Sequence, residues 1–213
     1  MKLAPPQIPP VRGLEPTEAQ DFVHEASFER AHVVSLDLSG IRAGNLSFDE
    51  AVFEKVQLTQ AQLEKIAMND CIFKNCDLSG VRATEGSWIR IHSLTGRMVG
   101  MDCSRSTLKD VVFEGCKLNM TNFRFAKLVR VHFIDCALAE VDFQSAELTD
   151  VTFEGCHMEK TAFDHCRAVR VDMRKSELIA IRGWQSLKGA TIDLLQLATV
   201  APQLAAELGL TVV

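Results

Sequence analysis

The sequence predicts an all-β solenoid, a rod wound from one extended path that turns four corners per coil, and three observations predict it. Large apolar side chains return every fifth residue, small or medium ones return at the same interval two positions earlier, and neither series carries a charge. A helix repeats every 3.6 residues and a half-buried strand every 2, so a period of five belongs to neither. The stretch LAEVDFQSAELTDVTFEGC shows it, with Leu138, Phe143, Leu148 and Phe153 at the large position.

The large series starts at Phe28 and runs without a slip to Leu178, 31 positions of which Ser93 alone is polar. The small series runs from Ala26 and Ala31 to Ser176, and the 62 positions together hold no Asp, Glu, Lys or Arg although 24% of the chain is charged. Both series must therefore face one interior. Two inward residues in five describe a chain that turns a corner every five residues, so four segments close a square coil. Coils stacked at ~4.8 Å per layer make about eight turns and a rod of roughly 37 Å with no inserted loop. Glycines fall mostly at corners, as in LDLSG and FEGC.

Three segments follow. Residues 1–25 form an N-terminal arm and cap; five of the six prolines lie between Pro5 and Pro16, which reads as an extended, polyproline-like and mobile arm. Residues 26–183 form the solenoid. Residues 184–213 form a C-terminal cap, needed because a solenoid exposes unpaired strand edges at both ends. After Gly183 the register shifts by one, and IDLLQLATVAPQLAAELG reads as one or two short helices over 193–209. Asp193 suits the first turn, Pro202 breaks or restarts the helix and Gly209 ends it. Leu204, Leu208 and Leu210 are the expected cap contacts, and the tail Leu210–Val213 is expected to pair with a neighbour or lie on the cap.

The segments LDLSG (36–40), CDLSG (76–80), CKLNM (116–120) and AELTD (146–150) resemble the pentapeptide-repeat family, whose consensus is approximately A(D/N)LXX. The resemblance covers residues 26 to about 183. It implies a right-handed quadrilateral β-helix with a short α-helical C-terminal cap. It also implies a function: well-understood members bind DNA gyrase and topoisomerase IV by imitating duplex DNA, protect the enzyme from quinolone-like or peptide toxins, and dimerise through C-terminal helices.

The chemistry of a catalyst is missing. No nucleophile motif, phosphate-cradling glycine loop or HExxH occurs, and a filled tube offers no partly dry concave pocket, so the expectation is a non-enzyme with no cofactor and no metal. All seven cysteines fall on inward positions, and Cys116, Cys136 and Cys156 stack in one column. A line of thiols does not converge on a tetrahedral metal, and the layer spacing exceeds the ~3.8 Å between Cβ atoms that a disulfide prefers. They read as buried reduced thiols, which fits a cytoplasmic protein. No apolar run is long enough to span a bilayer, so no membrane partner is expected.

Charge argues against direct nucleic-acid binding and against mimicry by the whole rod. The chain is −5 overall, and residues 26–180 carry 19 basic and 22 acidic side chains. A duplex of the rod's length carries roughly 20 negative charges. Basic clusters (Arg124, Lys127, Arg130; Arg167, Arg170, Arg174, Lys175) depart further from a phosphate array, which leaves Glu140, Asp142, Glu147, Asp150 and Glu154 as a candidate acidic patch imitating a short segment. Residues twenty apart share a face, and one face carries outward apolar residues on six of its eight rungs: Val34, Val52, Ile72, Leu94, Val112 and Ile134, with His32, His92 and His132 beside them. Isolated exposed valines need no explanation, whereas a contiguous strip means contact. This face is the candidate surface for a protein partner or a homodimer. A type II topoisomerase is the leading named partner, and a generic interaction scaffold is the alternative.

Overall fold

The computed structural model describes residues 3–7, 10 and 13–211, and over them the predicted solenoid is what the chain forms. Six strands of eight residues, from Ser47–Glu54 to Glu147–Glu154, stack in parallel with the strand Ala31–Val34 below and the strand Arg167–Asp172 above. Every pairing is offset by twenty residues, so Phe113 lies on Phe133 and Phe133 on Phe153. The other two faces repeat the register as single bridges, such as Asp102 to Asn122 and Asn122 to Asp142.

Each corner is made by one residue in the left-handed region. Every fifth residue from Glu25 to Ala180 has a φ between 49° and 70°, and only five of these positions are glycine. The corner glycines noted in the sequence are thus a minority, and charged or polar residues fill most corners. Such a φ costs roughly 1–2 kcal/mol for a residue with a Cβ. It persists because the coils above and below pin it, as where the Lys65 amide meets the Thr84 carbonyl at 2.8 Å.

The interior is a lattice of stacked side chains. Phe133 is fully buried, with ring centroids at 5.2 Å to Phe113 and 5.0 Å to Phe153. Ser93 sits at the large position and is fully buried as well. Polar atoms at the small position find a fixed partner, the carbonyl of the large residue twenty-three positions back. Thr121 Oγ1 donates to Met98 O at 2.8 Å, Ser176 Oγ to Phe153 O at 3.0 Å, and Cys136 and Cys156 Sγ to Phe113 and Phe133 O at 3.3 Å. That acceptor explains why Ser, Thr and Cys are tolerated inside. All seven cysteines are buried and free.

The ends are closed differently. At the N-terminal end Phe22 covers the first coil, 5.1 Å from Phe28 and 5.9 Å from Phe48, and the short strand Glu15–Pro16 pairs with Ala31–Val34. At the C-terminal end the lattice stops at Gly183, whose φ is +79° and where an added Cβ would lie 2.5 Å from the Asp164 amide nitrogen. A single helix, α1 (Leu194–Glu207), then crosses the last coil. Asp193 caps it, accepting from the Gln196 amide at 2.9 Å, while Gln196 Oε1 accepts from the Asp193 amide at 2.7 Å. The buried Gln196 donates to the carbonyls of Met173 and Ser176, both at 2.6 Å, and Gln203 donates to that of Ile181. Two glutamines thus cover strand-edge carbonyls that a bare end would leave open.

Two expectations for this cap change. Pro202 lies inside α1 without ending it. The carbonyl it deprives is that of Ala198, an exposed residue that water can reach. Of the three expected contacts Leu204 packs against the core, but Leu208 and Leu210 are 72% and 61% exposed. Gln196, Val200 and Leu204 recur every four residues on the docked face, and the helix ends at Glu207 before that face reaches further. Val212 and Val213 lie outside the described residues.

The N-terminal arm is docked where the sequence suggested mobility. The Gln7 amide donates to Asp70 Oδ1 at 2.8 Å and the Ala4 amide to Asp110 Oδ1 at 3.3 Å. Asp70 and Asp110 are two layers apart, about 9.6 Å. Three residues of polyproline-type chain span about 9.3 Å. The arm therefore runs along the rod axis with its amides in step with the coils.

Candidate partner-binding surfaces

Among the described residues no cluster could hold a metal, and a surface cleft of about 480 Å³ is lined by His132, Glu154, Asp172, Arg174, Lys175 and Asp193. The space between core side chains of the first coils is about 20 Å³ and is lined by Leu, Phe, Met, Val and Ala with Trp88. That is room for about one water, in surroundings that offer it few partners. The groups of this region that a ligand could reach thus lie on the outer surface.

The structure divides the predicted apolar face into two columns. In one, Val52, Ile72, His92, Val112 and His132 are in register with no charged carboxylate or lysine among them. In the other, Val34, Leu94 and Ile134 alternate with Glu54, Lys74 and Glu114. The strip is thus half as wide as the sequence suggested. Val52 is almost wholly buried and Val34 is 42% exposed. The histidines lean on the acidic column, His92 Nε2 lying 2.9 Å from Glu114 Oε2. Burial pushes the His132 imidazole below its usual pKa.

The arm lies along the edge of this face, on a corner column that reads Arg30, Glu50, Asp70, Arg90, Asp110, Arg130, Asp150, Arg170. Its upper members pair two by two. Arg90 grips Asp70 at 2.7 and 2.6 Å, Arg130 grips Asp110 at 2.6 and 2.7 Å, and Arg170 grips Asp150 at 2.5 and 2.7 Å. Burial raises the Asp70 carboxyl, but the Arg90 guanidinium and the Gln7 amide outweigh it and hold it below the usual range. Arg130 does the same for Asp110 against its burial, helped by the Ala4 amide.

The predicted acidic patch is not assembled. Glu140 and Asp150 stand at different corners, and Asp142, Glu147 and Glu154 on three different faces. Four of the five also have cations beside them: Asp142 near Arg124 at 3.8 Å, Glu147 near Lys127 at 4.0 Å, Asp150 on Arg170, and Glu154 on Lys175 at 2.6 Å. Sequence proximity within one coil placed them around its circumference.

One feature escaped the sequence reading. Met120 and Phe125, at successive corners of one coil, are 55% and 54% exposed. The guanidinium carbons of Arg105 and Arg124 each lie 5.9 Å from the Phe125 ring centroid. The signal was available in the register, since both are large apolar residues two positions after an inward one, where almost every other unit has a polar residue or glycine.

A model described as a pentapeptide repeat region matches residues 95–163 and 126–182. Two trypsin-treated variants of QnrB1, a plasmid-mediated fluoroquinolone resistance protein, are similar in structure. One aligns with 19% identity and a TM-score of 0.54 over 93% of this chain and 95% of its own. The other aligns with 17% identity and a TM-score of 0.52 over 88% of this chain and 100% of its own. At these identities the likeness is one of fold. No curated protein matches the sequence. Among the described residues no helix is long and apolar enough to cross a membrane.

Proposed function

The chain belongs to the pentapeptide-repeat family, and from that premise we propose that it is a non-enzymatic protein-binding rod whose leading target is a type II topoisomerase. The observation that carries this reading is the end-to-end match in fold to a fluoroquinolone resistance protein, by a rod whose interior is filled and whose chemistry is all external. Charge mimicry along the whole rod is not what it offers, because residues 26–180 set 19 basic side chains against 22 acidic ones. Contact would come from shape and local patches, with the Ile72, Val112 and Ile134 face as the first. A homodimer is proposed through α1, where Leu194 and Leu195 are 81% and 83% exposed. The buried reduced thiols support a cytoplasmic setting.

The test is a gyrase supercoiling assay with and without a quinolone, run beside a pull-down from the native lysate. Inhibition or protection at low micromolar protein supports the topoisomerase. No effect, with an unrelated protein captured, supports the alternative of a generic scaffold, which the nearly balanced surface charge favours. Ile72→Glu with Ile134→Glu should abolish binding through that face while leaving the rod folded, and Leu194→Glu with Leu195→Glu should leave a monomer by sedimentation.

A further inference from the structure

The corners at Met120 and Phe125 bound the side of the rod away from the apolar face, and the fold does not explain what they carry. Of all the left-handed corners between Glu25 and Ala180, these two alone carry large apolar side chains. Their φ values are 60° and 59°, a conformation a bulky residue enters only at a cost. More than half of each side chain is in water, so packing returns little of that cost. Strain kept at an exposed position points to contact with something else.

The neighbours say what that is. Arg105 and Arg124 hold their guanidinium groups beside the Phe125 ring. Among the described residues no carboxylate is within ion-pair distance of Arg105, and Arg124 has only Asp142 at 3.8 Å, with a buried Nε that finds no hydrogen-bond partner. An aromatic anchor ringed by arginines is the composition of an interface hot spot. Two cations around an apolar anchor call for carboxylates around an apolar side chain. A nucleic acid fits less well, because it binds through many phosphate contacts at once, whereas this site offers two arginines on a chain of net charge −5.

We propose that Phe125, Arg105 and Arg124, with Met120 at the other corner of the same face, form a docking site for an acidic protein segment, Phe125 taking an apolar side chain, the two arginines its flanking carboxylates and Met120 a second apolar contact. The proposal rests on the reading of the rod as a protein binder but not on the topoisomerase as its target, so a negative supercoiling assay leaves it standing.

The experiment uses the full chain and a short fluorescent peptide with Asp and Glu on both sides of a Leu-Phe pair, followed by anisotropy. The unaltered protein should bind it, more weakly as salt rises. Phe125→Asn and the pair Arg105→Glu with Arg124→Glu should each weaken binding by ~10-fold or more, since a central anchor is worth at least that. Circular dichroism and unfolding midpoints should show these variants folded. The idea is overturned if the unaltered protein does not bind, if the variants bind equally well, if the peptide with Asn and Gln in place of its acids binds as tightly, or if oligothymidylate is preferred.

Discussion

The column from Arg30 to Arg170 and the column Glu25, Asn45, Lys65, Glu85, Arg105, Phe125, Ser145, His165 turn neighbouring corners with the same left-handed backbone. In the first, acids and bases alternate over its upper six rungs, each Asp is gripped by the Arg one coil above, and two of the Asp residues also hold the arm. In the second, Arg105 and, from beside the column, Arg124 face the exposed ring of Phe125. A pentapeptide lattice dictates the backbone of a corner and leaves its side chain free. One column spends that freedom on holding the rod together, and the other leaves it available to a partner.

That contrast assumes an interior indifferent to what the corners carry, and the largest effect tests it. Phe133→Ala should destabilise by about 3–5 kcal/mol, because the ring is fully buried between two others. Chemical denaturation measures it, and a cost as small as that of a corner exchange would mean the lattice is not what holds the rod. Next comes Asp110→Asn, which keeps a residue tolerant of the left-handed region but removes the charge opposite Arg130. It should cost about 1–2 kcal/mol, the guanidinium being partly exposed. Exchange of the Ala4 amide should speed up in the same variant.

The pH dependence of the arm has a definite sign. Asp70 and Asp110 are held below the usual carboxylate range, so their contribution is present in full above about pH 4 and is lost as pH falls through their lower folded values. Slow exchange of the Ala4 and Gln7 amides should persist at neutral pH and vanish only in stronger acid. Loss of protection between pH 6 and 7, the histidine range, would break the assignment.

The lattice was legible because an inward position admits so few residue types that period five survives over the whole rod. The cap was legible in outline from Asp193 and Gly209, but not the role of Gln196, since nothing in a sequence says that a polar residue on a helix will meet strand-edge carbonyls. The outer surface was legible only in part. Val52 and Ile72 were placed on one face correctly, because register alone decides that. The acidic group of Glu140 to Glu154 failed because neighbours within twenty residues lie on different sides of a square coil. The arm failed for another reason: its amides bond to Asp70 and Asp110, and backbone donors leave no mark on composition.

The smallest effect is also the sharpest on the comparison, because it sets one substitution against the other in sign. Phe125→Asn places in the second column the residue that Asn45 already supplies there at a φ of 57°. It relieves a bulky side chain of the left-handed region and removes a ring that is more than half exposed. The arginines lie near the outer limit of cation–π contact, about 6 Å, so little attraction goes with it. Stability should hold or rise by up to about 1 kcal/mol, while Asp110→Asn in the same conformation lowers it. Paired denaturation curves decide the matter. If both exchanges lower stability alike, the Phe125 corner is structural and the distinction between the columns is lost.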